Sequence, residues 1–436
     1  MSKVLTLILL LSFLFSFSYA LYFKIQPKVD ALAYDNIALN IASGNGFREN
    51  VAVSTDRDFS IARVGPLYEY FLAAIYKLFG HNYYFVWFFQ AILHALTAFL
   101  VYLTGVLIFK DSDKKEEVAL WSAGILGFYP DLIEISAMLM TETLYLFLFC
   151  LMLYVFFRIL EEEISYISIV PLGLVSGLAV LARPPVLFSL PVIVFYLYWK
   201  RKSKETLLFV AIFLMVLTPW TARNYNVYGE IAPFGVAGQL NFWIGNHLNS
   251  QGKQETSQEI IEFATAHPVV DLGSESIKRF KTFILEHPRE FLKTTALRVN
   301  RYFSVVRPMG FWFYTSGWRQ MTFVAFSVIG SIILFVLGLA GAIKMFKEQK
   351  EAYLYLLAFA LLTPLILFIT VVETRYRFQI YPLLAIFSGY FISVLNLKDK
   401  SIVKILSVAT LIVFLNGGVD FLLNSSRVFD RLEGWF

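Results

Sequence analysis

Asp30 stands at the head of a helix-like stretch, Ala31 to Ser43, and Asp35 lies one turn further on. A carboxylate placed there can take a proton from a hydroxyl, and it can equally cap the helix, since Asp is among the preferred N-cap residues. The sequence leaves both roles open, and Asp35 on the same stretch either shares the work or faces water. Glu142 opens a long apolar run, where an ionisable group is costly and calls for a use. It reads as a second carboxylate, as a ligand of a divalent ion, or as an ordinary interfacial glutamate. Arg183, Arg223, Arg375 and Arg377 each fall at the end of an apolar run. A guanidinium fork suits a phosphate, to which it can donate two parallel hydrogen bonds, whereas snorkelling to lipid headgroups is the ordinary alternative. Tyr34, Tyr225 and Tyr376 suit a pocket wall near these charges, or an aromatic belt.

Other chemistries lose support. The chain has no phosphate-cradling Gly-rich loop ending in Gly-Lys-Ser/Thr, no His-Glu-x-x-His and no Gly-x-Ser-x-Gly. Its single cysteine, Cys150, permits no intrachain disulfide. The five histidines lack metal-ligand spacing, so no metal site is assigned; a divalent ion would rest on Glu142 rather than on a motif.

The elements that must position these residues are membrane helices. Of 436 residues 58% are hydrophobic and 16% charged, against roughly 25% charged in soluble domains, so lipid has to be the main solvent. Apolar runs near the ~20 residues needed to cross the hydrocarbon predict about eleven spans. They lie at 4–23, 83–109, 117–130, 139–159, 166–182, 184–199, 206–221, 321–343, 352–372, 377–397 and 402–423. The first ends in a signal-like Ser18-Tyr19-Ala20, but its apolar run is longer than a signal core, so it reads as an uncleaved helix.

With the N-terminus in the cytoplasm, the lysines of the short connections fall on one side: Lys110 to Lys115, Lys200 to Lys204, Lys344 to Lys350 and Lys398 to Lys404. That is the positive-inside pattern of a multi-pass protein of the cell membrane, and it accounts for the net charge of +5 without nucleic acid. Residues 66–80 would break the pattern as a crossing and are read as an interfacial helix. Two segments on the outer side are long. The first, 24–82, holds the Asp30 stretch. The second, 222–320, carries helical patterns near 255–267, 274–286 and 289–303, punctuated by His267-Pro268 and His287-Pro288.

Several short motifs follow one another along the chain. Asp30-Ala31-Leu32-Ala33-Tyr34-Asp35 comes first, then Arg63-Val64-Gly65-Pro66-Leu67-Tyr68 and Met140-Thr141-Glu142-Thr143-Leu144-Tyr145. After them come Ala182-Arg183-Pro184, Pro219-Trp220-Thr221-Ala222-Arg223-Asn224-Tyr225, Asn241 to Asn246, and Arg375-Tyr376-Arg377. In this order they resemble the GT-C glycosyltransferases, specifically the protein-mannosyltransferase-like family that includes the lipid A aminoarabinose transferases.

The resemblance implies an all-α GT-C architecture: a core at 1–221 with the catalytic first outer loop, an outer loop at 222–320, and C-terminal spans at 321–436. It implies transfer of a hexose or pentose from a polyprenyl phosphate on the outer face, with inversion, to an acceptor lipid, glycan or protein. The first-loop acid of the family maps to Asp30, with Asp35 and Glu142 as further acids. Tyr34, Arg63, Arg183, Arg223, Tyr225, Asn246, Arg375, Tyr376 and Arg377 map to substrate contacts. Many relatives follow the first acid with a second, where this chain has Ala31. Independently of the resemblance, displacing a lipid phosphate from a sugar needs a carboxylate for the incoming hydroxyl and cations for the departing phosphate. The competing readings are a lipid or glycolipid transporter and an oligosaccharide polymerase or ligase. A transporter has no chemical need for Asp30 and its outer helix, and more often shows repeat symmetry with ionisable groups near the midplane.

Overall fold

The computed structural model describes residues 2–63, 65–162, 164–248, 250, 252, 257–307, 317–348 and 350–425. Every regular element among them is a helix. Positions 255 and 256 of the expected 255–267 helix, and the end of the long outer loop at 308–316, lie outside the described residues.

Seven helices are long and apolar enough to cross a bilayer: Lys3–Phe23, Tyr83–Ile108, Glu142–Glu161, Ser203–Tyr228, Met321–Phe346, Glu351–Ile369 and Lys400–Leu423. The span expected at 117–130 is instead a bent pair, Lys115–Gly127 and Pro130–Ser136, turning by 54°. The break falls at Pro130, which has no N–H to continue the helical ladder. Three further expected spans form shorter elements. Tyr166–Ala182 has 17 residues, Leu190–Trp199 follows a 3-10 turn at Pro184–Ser189, and Tyr381–Val394 has 14 residues. That last helix begins four residues later than the expected span, because Thr374–Ile380 is a 3-10 turn. Pro382 sits in its first turn, where a missing N–H costs nothing. The first helix packs against Tyr83–Ile108, and Ser16 hydrogen-bonds Ser136 at 2.6 Å.

Contacts between distant connections define the two ends of the bundle. Lys110 pairs with Glu161, Lys200 with Glu351 at 3.0 Å, and Lys114 donates to the Ser393 carbonyl. Lys344 pairs with Glu348, which also accepts from Tyr390. The lysine-bearing connections therefore share one end. Asp30, Arg63, Glu142, Arg183 and Arg375 meet at the other.

At that second end, Asp30–Ala42 packs on Leu67–Phe79. The latter has 13 residues, about 20 Å of helix, short of the ~30 Å of hydrocarbon, and its apolar face is buried. The long loop supplies Gln258–Ala266, Leu272–Glu286 and Pro288–Phe303, close to the three patterns read from the sequence, and Ala237–Gly245, which those patterns did not include.

Cys150 is fully buried, so single cysteines placed elsewhere report without background once it is replaced by serine. Cysteines at 112, 202 and 399 should label from the cytoplasm, and those at 50 and 250 from outside. Labelling of 50 and 112 from the same side would overturn the arrangement.

Candidate active site

Asp30 is the first residue of its helix, and the N-cap position belongs to Val29. Val29 has φ 51° and ψ −116°, and no side chain caps the helix. Positive φ is a genuine outlier for a β-branched residue, of a kind that clusters at functional sites. The capping role open to Asp30 from sequence is therefore not the one the structure gives it. Its carboxylate turns instead to two arginines: Oδ2 accepts from Arg375 Nη2 at 2.6 Å, and Oδ1 from Arg63 Nη1 at 3.5 Å.

The charges continue on both sides. Arg63 forks onto Glu49, donating from Nη2 at 2.6 Å and from Nε at 2.9 Å. Beyond Arg375, the Tyr376 ring lies under two guanidiniums, at 5.5 Å from Arg375 and 5.6 Å from Arg183. Arg183 in turn pairs with Glu142 at 2.5 Å and donates to the Thr141 hydroxyl at 3.0 Å. Glu49, Arg63, Asp30 and Arg375 thus form one run of alternating sign, and the Arg183–Glu142 pair meets it across the Tyr376 ring, where two guanidiniums face each other. Tyr34, buried in the same helix as Asp30, packs edge-on against Tyr68.

Three local features place this network. Pro184, next to Arg183, stops the Tyr166–Ala182 helix and leaves Arg183 as its C-cap residue, with its guanidinium on Glu142 and Thr141. The Thr374–Ile380 turn carries Arg375 and Tyr376. Gly65 lets the segment after Arg63 touch the end of the Tyr166–Ala182 helix, since a Cβ there would lie 2.1 Å from the Leu181 carbonyl oxygen.

Burial pushes the Asp30 carboxyl up, and the Arg375 guanidinium, with Arg63 and Arg183 behind it, outweighs that and holds it below its ordinary 3.8. The pocket lined by Glu142, Tyr145, Arg183, Arg375, Tyr376 and Gln379 has a volume of about 10 Å³, room for about one water. The ion pairs close the site. Glu142 is taken up by Arg183, and no group of three or more His, Cys, Asp or Glu among the described residues forms a ligand set. A divalent ion does not fit this arrangement of donors.

The other expected residues fall elsewhere. Asp35 is buried rather than water-facing. It accepts from Tyr76 at 2.6 Å and Tyr83 at 2.7 Å, and lies 3.0 Å from His81, tying three helical segments together. Arg223 donates to the Phe47 carbonyl at 2.9 Å and lies over the Phe47, Trp220 and Tyr228 rings, which fastens the first outer loop. Arg377 is fully buried and donates to the Ser304 and Arg307 carbonyls. Asn246 donates to the Ile369 carbonyl and accepts from Arg298, while Tyr225 is 57% exposed on its helix.

Sequence reasoning missed Glu49, which carries no motif, and Arg298. Arg298 is fully buried and donates to the Phe368 and Ile369 carbonyls, the last acceptors of a helix end. Burial, aided by Arg301, pulls its guanidinium down to about 9.

The family model for dolichyl-phosphate-mannose-protein mannosyltransferase matches residues 63–222, a stretch that holds Arg63, Glu142 and Arg183 and leaves Asp30 and Arg375 outside. No curated protein sequence matches the chain. Among solved structures, the chain is similar to the archaeal oligosaccharyltransferase AglB from Archaeoglobus fulgidus in complex with an inhibitory peptide and a dolichol-phosphate. Identity is 13% and the TM-score 0.52, over 98% of this chain and 56% of that one. The Archaeoglobus fulgidus oligosaccharyltransferase in complex with Zn and sulfate gives a TM-score of 0.54 at 13% identity, over 94% of this chain and 52% of that one. The chain thus spans about half the length of these oligosaccharyltransferases. The all-helical fold of this chain is similar to the one these two solved structures share.

Two outcomes follow from this geometry. A carboxyl held below its unfolded value contributes stability that is present above about pH 4 and is lost as pH falls through the depressed folded value. The stability gap between wild type and Asp30→Asn in detergent melts should therefore narrow below about pH 4; a gap independent of pH would contradict the ion pair. Gly65→Ala should destabilise by roughly 1–3 kcal/mol, as overpacking against a backbone carbonyl does, whereas a neutral substitution would contradict the close approach at Leu181.

Proposed function

We propose that the protein is a membrane glycosyltransferase that moves a sugar from a polyprenyl phosphate to an acceptor on the outer face, with Asp30 as general base and Arg375 as the principal phosphate ligand. The observation that carries this reading is the Asp30 carboxylate, turned away from capping and held between the guanidiniums of Arg375 and Arg63.

The groups match the needs of the reaction. The acceptor O–H gives its proton to Asp30 as its oxygen forms the new bond to the anomeric carbon. The bond from that carbon to the phosphate oxygen breaks on the opposite side, and the electron pair leaves with the phosphate. A single displacement of this kind inverts the centre. Arg375, with Arg183 behind the shared Tyr376 ring, stabilises the charge on the departing phosphate, and an arginine fork serves that better than a point charge. Donor phosphate and Asp30 compete for the same guanidinium. The closed state is then a resting state, and the entering phosphate takes Arg375 and frees the carboxylate when a proton acceptor is needed.

A place for the lipid supports the assignment. An apolar cavity of about 310 Å³ is lined by Phe303, Phe335, Leu339, Leu384 and Phe387, and reaches Ile380 at the end of the Arg375 turn. The solved neighbour with dolichol-phosphate has the same fold.

Asn in place of Asp30 removes the base and keeps the size of the side chain. Asp30→Asn should therefore melt lower than wild type, having lost the Arg375 counter-ion, yet remain folded at assay temperature and lose transfer from a polyprenyl-phosphate sugar by roughly 10²–10⁴-fold. Arg375→Lys keeps the charge without the fork and should weaken donor binding by roughly tenfold, the low end of what a charge-assisted hydrogen bond supplies. Both are read with purified protein and a panel of radiolabelled polyprenyl-phosphate sugars. A folded, fully active Asp30→Asn would refute the catalytic assignment.

A further inference from the structure

The long outer loop contains a second polar site that the transfer chemistry does not use. A cleft of about 540 Å³ opens between the Leu272–Glu286 helix and the segment that follows Ala237–Gly245. One wall is a helical stripe of Glu275, Arg279, Thr282 and Glu286; the other includes Trp243 and His247, with Glu259 at the rim.

Arg279 is the unusual member. Its guanidinium carbon lies 4.8 Å from the Trp243 ring and 4.4 Å from the Phe263 ring, so two aromatic surfaces seat it in a notch. No carboxylate or carbonyl among the described residues takes up its donors. Glu259 and Glu286, which share the cleft, pair with no cation among the described residues, and Glu275 is only 3.9 Å from Lys278. A guanidinium held by rings keeps its N–H edge for an oxyanion, and Arg is well suited to bind carboxylate or phosphate in two-point fashion. Nearby unpaired carboxylates repel a polyanion but accept hydroxyl protons. A ligand with one acid group among several hydroxyls satisfies both.

The cleft floor is joined to the Asp30 site. Between Trp243 and His247, Gly245 approaches Thr370 so closely that a Cβ would lie 1.9 Å from its carbonyl oxygen. Asn246 and Arg298 both donate to the Ile369 carbonyl, and Val372 donates to Gly252. Arg375 follows three residues after Val372.

We infer that this cleft docks the acceptor, a saccharide bearing a carboxylate or phosphate group, with Arg279 on the oxyanion and Glu259 and Glu286 on hydroxyls. The inference rests on the glycosyl-transfer reading of the Asp30 site for the word acceptor. Its binding test does not depend on transfer.

The experiment uses the purified full chain in detergent, with calorimetry and tryptophan fluorescence. The probes are an oligogalacturonate, the neutral galacto-oligosaccharide of the same length, and inorganic phosphate. The acidic saccharide should bind at least roughly tenfold more tightly than the neutral one, the low end of a charge-assisted contact. Arg279→Gln should abolish that preference. Arg279→Lys keeps the cation on its rings and should retain part of it. Polyprenyl phosphate binding should be unchanged in both variants, which shows that they fold. Displacement of the saccharide by phosphate supports a shared oxyanion pocket, and phosphate binding at Arg279 without uronate binding assigns the acid group to a phosphate-bearing saccharide. Equal binding of acidic and neutral saccharides, no binding of any probe, or an unaltered preference in Arg279→Gln would overturn the proposal. Loss of transfer in Asp30→Asn together with no binding in the cleft would remove this inference and leave the glycosyltransferase reading intact.

Discussion

A carboxylate and a guanidinium held together at the edge of a membrane bundle set the terms for the rest of the site. Arg375 is 9% exposed, and a buried cation without a counter-ion costs several kcal/mol. Asp30 supplies that counter-ion, 345 residues away in sequence. The pair also fixes what the helix bearing Asp30 can do: its first residue is turned outward past a left-handed Val29 instead of closing the helix end. Glu49 answers Arg63 and Glu142 answers Arg183 in the same way, while Arg375 and Arg183 share the Tyr376 ring.

The scaffold keeps this network from collapsing. Asp35 gathers two tyrosine hydroxyls and His81, which holds Asp30–Ala42 against Leu67–Phe79. Arg223 pins the Phe47 loop, and Arg377 and Arg298 bind carbonyls around the turn that carries Arg375. Buried donors satisfied by backbone carbonyls in this way are rigid, since leaving any one unmade costs the desolvation of both partners. Arginines at this end therefore divide between those that bind backbone carbonyls, Arg223, Arg298 and Arg377, and those that pair with carboxylates, Arg63, Arg183 and Arg375. Residue type alone does not separate these groups, and a carboxylate partner does not either, since Arg307 forks onto Asp420 away from Asp30.

That division explains what was legible in the sequence. Seven of the expected spans follow from apolar length, a local property, and Leu67–Phe79 is short as expected, whereas the bend at Pro130 and the shortened helices at 166–199 and 381–394 do not follow from length alone. The helices of the long loop were marked by His-Pro breaks. That Asp30 opens a helix was legible from the local pattern; its pairing with Arg375, 345 residues away, was not. Asp35 was not, because its partners lie 41, 46 and 48 residues away and turn a polar position into a buried one. Arg377 and Arg375 share a motif two residues apart, yet a 3-10 turn sends them to different neighbours. The bend at Pro130 and the role of Glu49 likewise depend on contacts that no spacing encodes.

The central claim is that lipid phosphate and Asp30 compete for Arg375. It is tested most directly by titrating polyprenyl phosphate, without any sugar, into wild-type protein and into Asp30→Asn. If the carboxylate occupies the guanidinium at rest, the Asn variant should bind the lipid phosphate more tightly than wild type, since it offers Arg375 no competing anion. Equal or weaker binding by the variant would contradict the account.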